Sequence, residues 1–224
     1  MAENVFDNWA DQYDAWFKTP SGRLVKAYES QLLLKLLTPG TGDRILDAGC
    51  GTGIFTRDVL ERGACITGID RSLPMLTGSA GLTDPGFHRA GADMTALPFK
   101  DNAFDRTFSV TAVEFIRDAA LAAAELNRVT RPGGCIVLTT LNRMSPWAER
   151  RKKMGEQGHP IFRNVFFRSP EEMKALIPAS EVVIETAVHF EKQTPVTQIP
   201  EIEASGRDRK SLTGAFLAVQ WKKS

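Results

Sequence analysis

The sequence predicts a single α/β domain built on a seven-stranded, mostly parallel sheet with helices on both faces. The chain has 224 residues, a length typical of one large domain. Hydrophobic residues make up 42% and charged residues 25%, the composition of a globular protein with one sizeable core. From Arg44 onward, strand-like apolar runs alternate with helix-like segments, which is the pattern of βαβ units feeding a parallel sheet.

Seven short apolar segments are the predicted strands. They are 44–47, 64–70, 87–90, 104–113, 135–141, 182–190 and 212–221. Arg131-Pro132-Gly133-Gly134 predicts a turn before the fifth segment, whose nearly continuous apolar run is typical of a central strand buried on both faces. A polar loop containing Pro195, Pro200 and Gly206, with no predicted helix, joins the last two strands. This connection predicts an antiparallel pair at the edge of the sheet.

Capping residues indicate where the intervening helices begin and end. A helix over 54–62 follows the first strand and is closed by Gly63. Ser72 caps a short helix after the second strand, and Asp118 caps an alanine-rich helix before the fifth. Ser169-Pro170-Glu171-Glu172 opens another helix, because it combines a cap, an early proline and acids in the first turn.

Composition and charge argue against several classes of partner. Lys plus Arg number 28 and Asp plus Glu 27, a net charge of +1, so no overall field attracts nucleic acid or an anionic membrane. The three cysteines are an odd number in or beside predicted strands, which favours a reducing cytoplasm over a disulfide framework. The first residues show no signal-peptide pattern, and the apolar run 32–37 is too short to span a bilayer.

A glycine-rich loop, Asp47-Ala48-Gly49-Cys50-Gly51-Thr52-Gly53, joins the first strand to a helix. Glycines let the backbone approach a ligand closely, and ligands bind at the carboxyl ends of parallel strands. A dinucleotide loop would need a small residue where Ile54 stands. Asp47 would repel a pyrophosphate but attract a cationic sulfonium and an ammonium group. The loop therefore favours S-adenosylmethionine over a nicotinamide cofactor.

Several motifs in order resemble those of class I S-adenosylmethionine-dependent methyltransferases. The segment 45–53 resembles the first motif of that family, and Ile66-Thr67-Gly68-Ile69-Asp70 resembles the second-strand motif. The segments 91–99 and 104–105 resemble the part that contacts adenine, and 126–134 resembles the helix and turn before the fifth strand. The resemblance implies a Rossmann-like fold, S-adenosylmethionine as cofactor and methyl transfer as the reaction.

The resemblance also implies a set of cofactor-binding residues. They are Tyr13, Asp47, Gly49, Cys50, Gly51, Gly53, Asp70, Arg71, Met75, Asp93, Met94 and Thr111. Asp70 would accept hydrogen bonds from the ribose hydroxyls, and Asp93 would bind the exocyclic amine of adenine. Tyr13, in the aromatic stretch 6–17, would reach the methionine carboxylate. The alternatives are a local turn role for Asp93, core packing for Met75 and small-residue packing for Cys50.

The acceptor side is predicted from residue types after the fourth strand. Glu114 is the candidate general base on a neutral acceptor, and the alternative is a first-turn acid favoured by the helix dipole. In 143–168, seven basic residues stand against two acidic ones. Trp147, His159 and Phe166 are the candidate acceptor-binding residues there, against the alternative of a solvated surface. A small molecule is the expected acceptor, because a nucleic acid would need a broader basic surface.

We therefore predict one methyltransferase domain over 1–224. It comprises an N-terminal helical lid over 1–40, a cofactor-binding core over 41–141, a basic and aromatic substrate lid over 142–168, and a C-terminal helix and strand pair over 169–224. In-line methyl transfer depends mainly on positioning, so no metal site is expected. The alternatives are a non-catalytic cofactor-binding partner protein and a nicotinamide-dependent oxidoreductase.

Overall fold

The computed structural model describes residues 6–7, 9–179 and 181–224, so residues 1–5 and 8 of the predicted lid lie outside it. The described residues form one seven-stranded sheet in the order β3-β2-β1-β4-β5-β7-β6. The strands are β1 (Arg44–Ala48), β2 (Cys65–Asp70), β3 (Phe87–Gly91), β4 (Phe104–Ser109), β5 (Thr130–Leu141), β6 (Val183–Ala187) and β7 (Phe216–Lys222). Strand β7 pairs antiparallel with both β5 and β6, and the other four pairings are parallel. The predicted fold class is confirmed.

Eight α-helices occur in the described part of the chain. They are α1 (Ala10–Phe17), α2 (Pro20–Leu37), α3 (Thr56–Leu60), α4 (Leu73–Gly78), α5 (Ala119–Val129), α6 (Pro146–Glu156), α7 (Pro170–Ala175) and α8 (Ile199–Asp208). Thr19, Ser72, Ser145 and Ser169 each accept a backbone hydrogen bond and so cap α2, α4, α6 and α7. A proline in the first two positions follows each cap, where its missing N–H costs nothing.

The core lies on both faces of the sheet. Alternate residues of a strand belong to different hydrophobic clusters: Ile45 packs with the face that carries α2 and α3, and Leu46 with the face that carries α5 and α7. Val137 and Ile136 of the central strand divide in the same way. Because side chains alternate along a strand, each central strand must be apolar throughout its length.

Several predicted boundaries differ from the structure, including those of the last two strands, which cover only Val183–Ala187 and Phe216–Lys222. The fourth strand ends at Ser109 rather than at residue 113, because Thr111 adopts φ +44° and residues 113–115 turn away as a short 3₁₀ helix. The helix predicted over 54–62 is limited to α3, although Gly63 does adopt the expected positive φ. Asp118 precedes α5 but makes no capping hydrogen bond through its side chain.

The predicted turn over 131–134 belongs to β5 as an irregular start of that strand. The pairing of β4 with β5 shifts register between Phe104 and Arg106, and Gly133 adopts φ +74°. The Gly133 amide donates to the Lys223 carbonyl oxygen over 2.8 Å. The glycines therefore bend the chain without ending the sheet.

The prediction of a helix-free loop between the last two strands is wrong, because α8 connects them. Pro200 stands in the first turn of α8 and does not interrupt it. A Cβ on Gly206 would lie 2.2 Å from the His189 ring, so the glycine permits close packing of α8. The Glu203 carboxylate accepts hydrogen bonds from the amides of Val188 and His189 over 3.1 and 2.7 Å.

The segment 142–168 is also more regular than its sequence indicates. Helix α6 fills its first half, and its buried residues are Trp147 and Ala148. The basic side chains on the remaining positions obscure this apolar stripe in the sequence. Asn142 ties the start of the segment to the strand pair, because its side-chain amide donates to the carbonyl oxygens of Leu212 and Gly214 over 2.8 and 2.7 Å.

Candidate functional site

The glycine loop after β1 presents bare backbone at the carboxyl end of the sheet. Gly49, Gly51 and Gly53 adopt φ values of +79°, +54° and +77°, which residues with side chains rarely adopt. A Cβ on Gly49 would lie 2.5 Å from Ala112 Cβ. The amides of Gly49 and Cys50 both donate to the Ile69 carbonyl oxygen, so the loop is held against the end of β2.

Asp70 stands at the end of β2, directly beside this loop. Its Oδ2 accepts a hydrogen bond from the Gly51 amide over 2.9 Å, and its Oδ1 accepts one from the Ser72 amide over 2.8 Å. Burial raises the pKa of Asp70 above its ordinary value, although these backbone donors oppose that change. A carboxylate oxygen has further acceptor capacity, so two ligand hydroxyls can still be bound there.

Asp47 is a buried acid at the end of β1, with 2% of its surface exposed. Its Oδ2 accepts a hydrogen bond from Thr56 Oγ1 over 2.6 Å. Burial raises the pKa of Asp47 to about 7, the Thr56 hydrogen bond opposes the rise, and the charge of Asp70 adds to it. A cationic ligand group nearby would restore its ionised form.

The residues predicted for adenine lie around the same loop. A Cβ on Gly51 would lie 3.0 Å from Met75 Cε, and one on Gly49 would lie 2.9 Å from Met94 Cε, so both buried methionines flank the glycines. Asp93 accepts hydrogen bonds from the amide and hydroxyl of the following Thr95.

Arg71 contributes an ion pair to that corner of the site. Its Nη1 lies 3.4 Å from Asp93 Oδ2, and most of the Arg71 side chain is exposed. Partial burial acts to raise the pKa of Asp93, but the hydrogen bonds from Thr95 and the charge of Arg71 lower it below its ordinary value. Asp93 is therefore ionised and already oriented.

Helix α1 packs over the loop and brings Tyr13 to the end of β4. The Tyr13 hydroxyl shares a hydrogen bond with Thr111, and burial raises its pKa well above the ordinary value. Thr52 of the glycine loop donates to the Asp14 carboxylate over 2.6 Å. Ser72 likewise donates to Asp7 over 2.7 Å. These contacts tie the N-terminal segment to the loop and to α4.

A buried polar cluster lies behind Tyr13. We define it as Tyr13, Glu29 of α2, Glu114 of the 3₁₀ turn, Arg151 of α6 and His159. Burial raises the pKa of Glu29 to about 8 and that of Glu114 to about 7, and the charge of Arg151 opposes both changes. Each carboxyl also raises the pKa of the phenol.

Several polar atoms at the site have no hydrogen-bond partner among the described residues. They are Glu114 Oε1, Arg151 Nη1, His159 Nδ1 and Ser109 Oγ. Native proteins rarely leave buried polar atoms unsatisfied, so such a group commonly marks a place where a ligand or water binds. Ser109 Oγ lies 4.0 Å from the position of a Cβ on Gly49. Bare glycine backbone, Asp70 and these atoms together fit a cofactor with hydroxyl and charged groups.

Aromatic rings contact His159 and Arg151 of the polar cluster. The His159 ring stacks on Phe162 at 4.7 Å and contacts Trp9 at 5.4 Å. The Arg151 guanidinium lies 5.1 Å from the centre of Trp147. Trp147 itself is buried, and its indole N–H donates to the Phe190 carbonyl oxygen over 2.6 Å. The structure thus places Trp147 beneath Arg151 as part of the core.

Phe166 lies at the edge of the site and supports it through its backbone. Its amide donates to the Glu114 carbonyl oxygen over 2.8 Å, while the residue as a whole is 37% exposed. Cys50 is buried, and burial raises its thiol pKa well above the ordinary value, which is unfavourable for a nucleophile. Cys135 is also buried, whereas Cys65 is exposed, and all three thiols are free.

The structure brings the predicted cofactor residues together around the glycine loop, and it adds two residues that the sequence analysis did not single out. Glu29 and Arg151 complete the polar cluster with Glu114. A sequence signal exists for Glu29, because it occupies the apolar face of α2 that also carries Val25 and Leu33. Arg151 is one of seven basic residues in its segment, so only its burial distinguishes it.

Two absences characterise the described residues. No group of three or more His, Cys, Asp or Glu side chains among them is arranged to hold a metal ion. None of the described helices is both long enough and apolar enough to cross a membrane.

Comparisons with known proteins agree with this geometry. A family of methyltransferase domains matches residues 46–138, from β1 to β5. Curated relatives include the malonyl-[acyl-carrier protein] O-methyltransferases of Pseudescherichia vulneris, 40% identical over 129 residues, and of Salmonella typhimurium, 40% identical over 117 residues. The matches cover 54% and 52% of this chain, and 51% and 46% of the two relatives. The chain thus spans about half the length of these relatives.

Solved structures share the fold over nearly the whole chain. An S-adenosylmethionine-dependent methyltransferase from Thermotoga maritima, described as a possible histamine N-methyltransferase, aligns with a TM-score of 0.78 at 22% identity and covers 98% of this chain and 99% of its own. Phosphoethanolamine N-methyltransferase 2 of Haemonchus contortus, in complex with S-adenosylmethionine, aligns with a TM-score of 0.64 at 18% identity and covers 96% and 60%. Residues 46–138 thus match a methyltransferase domain family, and the described residues share their fold with S-adenosylmethionine-dependent methyltransferases of known structure.

Proposed function

We propose that this chain transfers the methyl group of S-adenosylmethionine to a small-molecule acceptor. The observation that carries the proposal is the bare, positive-φ glycine loop flanked by the carboxyl groups of Asp47 and Asp70. Backbone without side chains lets a nucleoside approach closely, and two acids favour a ligand that carries cationic groups. A pyrophosphate would meet repulsion at the same place.

The predicted site residues hold the cofactor in this proposal. Asp70 accepts hydrogen bonds from the ribose hydroxyls, and Asp93 accepts one from the exocyclic amine. Asp47 faces the ammonium group, and Tyr13 donates to the carboxylate of the methionine moiety. When bound, the cofactor supplies a methyl group already activated by a sulfonium. The protein then chiefly aligns the acceptor and excludes water, as α1 packed over the loop would do.

The acceptor is proposed to be a small molecule because the net charge of +1 gives no broad basic surface for nucleic acid. The names of the curated relatives make a malonyl thioester one acceptor to test. The matched family region ends at residue 138, before Arg151 and His159 of the polar cluster. The three free cysteines support a reducing cytoplasm as the location.

Calorimetry with S-adenosylmethionine, S-adenosylhomocysteine and NADH tests the cofactor assignment, and release of S-adenosylhomocysteine in the presence of candidate acceptors tests turnover. We expect the first two ligands to bind and NADH not to bind. Tight binding of NADH would instead support an oxidoreductase. Binding of S-adenosylmethionine without transfer to any acceptor would support a non-catalytic partner protein.

A further inference from the structure

A groove of about 450 Å³ lies between α6 and residues 191–193, in the connection between β6 and α8. No residue of the glycine loop lines it, and neither Asp70 nor Asp93 does. Grooves and clefts of this volume are typical of small-molecule sites in proteins. The groove is therefore separate from the predicted cofactor residues and large enough to hold a ligand of its own.

Basic side chains without ion-pair partners line this groove. They are Arg150 and Lys153 of α6, and Lys192. Two acids, Glu149 and Glu191, line it as well, so three cations against two carboxylates give the lining a formal charge of +1. None of these five side chains forms an ion pair within the described part of the chain. The cations are therefore in excess and available to a ligand.

Positive charge around Lys192 is not compensated by the protein. Partial burial lowers the pKa of Lys192, and the charges of Arg150 and Arg151 lower it further, with no opposing effect from an acid. Arg151 differs, because burial lowers its pKa but the charges of Glu29 and Glu114 oppose that change. An anion bound beside Lys192 and Arg150 would offset the repulsion between these two cations.

Trp147 supplies an apolar wall that is already fixed in place. Its indole N–H donates to the Phe190 carbonyl oxygen over 2.6 Å, and the two rings meet edge-on at 6.5 Å. The Arg151 guanidinium lies 5.1 Å from the centre of the Trp147 ring. Pro146 and Met154 extend the apolar lining. A ligand with an apolar body would therefore find a formed surface and lose little free energy to rearrangement of the protein.

We propose that this groove binds an organic anion, with its charged group beside Arg150 and Lys192 and its apolar body against Trp147 and Met154. Carboxylates and phosphate monoesters share this chemistry. Arginine and lysine bind both groups through charge-assisted hydrogen bonds, and the greater charge of a phosphate favours tighter binding. The inference goes beyond the proposed function, because it requires neither bound cofactor nor methyl transfer.

Calorimetry with naphthalene probes of different charge tests the proposal. The probes are 2-naphthyl phosphate, 2-naphthoate, the neutral 2-naphthol and the cation 2-naphthylmethylammonium, and inorganic phosphate tests the charged group alone. We expect the naphthalene anions to bind about tenfold or more tightly than the other three ligands. Raising NaCl from about 50 mM to about 300 mM should weaken binding of the anions, since salt screens exposed charges. Saturating S-adenosylhomocysteine should leave their affinity unchanged.

Matched variants locate the binding site. The double variant Arg150→Gln, Lys192→Gln should lower the affinity for 2-naphthyl phosphate by about tenfold or more, because both cations beside the charged group are removed. Glu191→Gln should instead raise it by about threefold, because an acid of the lining is neutralised. The control Lys152→Gln, Arg163→Gln removes the same two charges at exposed positions outside the groove and should bind as the parent protein does. Circular dichroism and urea unfolding check that each variant keeps the fold.

The other results would overturn this inference. Equal affinity for 2-naphthol and the naphthalene anions would do so, and so would equal losses in the two double variants or failure of every probe to bind. Displacement of the anions by S-adenosylhomocysteine would also do so, because the ligand would then occupy the methyl-transfer site. A protein that binds the anions but not S-adenosylmethionine would contradict the proposed function and leave this inference standing.

Discussion

Arg168 fixes the turn that carries Glu114. Its Nη1 donates to the Val113 carbonyl oxygen over 2.9 Å, and its Nη2 donates to the Ile116 carbonyl oxygen over 2.8 Å. The guanidinium thus brackets the acid through the backbone on both sides of it. Phe166 adds a third contact, because its amide donates to the carbonyl oxygen of Glu114 itself. The segment after β5 therefore sets the position of a residue that follows β4.

Arg168→Met should lower the rate of methyl transfer by about tenfold, because the turn loses two charge-assisted hydrogen bonds and Glu114 is no longer held. The unfolding free energy should fall by about 1–3 kcal/mol. Cofactor affinity should change little, since the Arg168 side chain donates to the carbonyl oxygens of Val113, Phe166 and Ile116 rather than to the glycine loop. Urea unfolding, calorimetry and transfer assays measure the three effects. Arg163→Met, at an exposed position, is the control, and an equal loss in both variants would contradict the bracketing role.

Gly49→Ala should abolish cofactor binding and destabilise the protein more than Gly133→Ala. Gly49 and Gly133 have φ values of +79° and +74°, so both substitutions cost about 1 kcal/mol of backbone strain. At Gly133 nothing lies within 4 Å of the added Cβ, whereas at Gly49 it would lie 2.5 Å from Ala112 Cβ. That overpacking adds about 1–3 kcal/mol. Equal unfolding free energies for the two variants, measured in urea, would show that the loop tolerates a side chain.

Asp70→Ala should weaken S-adenosylmethionine binding by about 10- to 100-fold, because charge-assisted hydrogen bonds to the ribose hydroxyls would be lost. The fold should persist, since the sheet does not depend on this side chain. Calorimetry gives the affinity, and circular dichroism checks the fold. Asp208→Ala, at the exposed end of α8, is the matched control. Unchanged affinity of the Asp70 variant would place the ribose elsewhere.

The ligand-free protein should become less stable as pH rises from 5.5 to 8.5. Burial raises the pKa of Glu29 to about 8 and those of Asp47 and Glu114 to about 7, whereas the unfolded chain titrates near the ordinary values. At pH values between the ordinary and the raised pKa values, the folded state holds protons that the unfolded state has lost. Raising the pH through this interval therefore favours unfolding.

Urea unfolding at several pH values checks this sign. Glu29→Gln should remove part of the slope, by on the order of 1 kcal/mol across the range, because its amide does not titrate. The acids with lowered pKa values, such as Asp105 and Glu125, titrate below this window and do not interfere. Stability that increases with pH would contradict the assigned burial effects.

The cofactor half of the fold could be predicted because its signals are local. The succession of strands along the chain and the glycine loop follow from short apolar runs and turn residues, and the predicted caps at Ser72 and Ser169 are confirmed. The strand end at Ser109 was less predictable, because the apolar sequence continues past it. The chain turns away at Thr111, which has φ +44° and whose amide donates to Thr139 Oγ1 on the neighbouring strand.

The missed elements depend on tertiary contacts. Helix α8 contains Pro200 and Gly206, which read as loop residues until Gly206 is seen against the His189 ring. Glu29 and Arg151 meet across α2 and α6, which are more than a hundred residues apart in the chain, so no local pattern joins them. The residues around the glycine loop could thus be singled out from local motifs, whereas Glu29 and Arg151 could not.

The placement of the three thiols has a practical consequence for spectroscopy. Cys65 is exposed at the start of β2, while the other two are buried. Asp70 ends the same strand, roughly 17 Å away at the usual rise per residue. A maleimide fluorophore should therefore attach at Cys65, far enough from the ligand to leave binding undisturbed. Energy transfer from the native tryptophans to this fluorophore should report movement of α1, the helix that packs over the glycine loop.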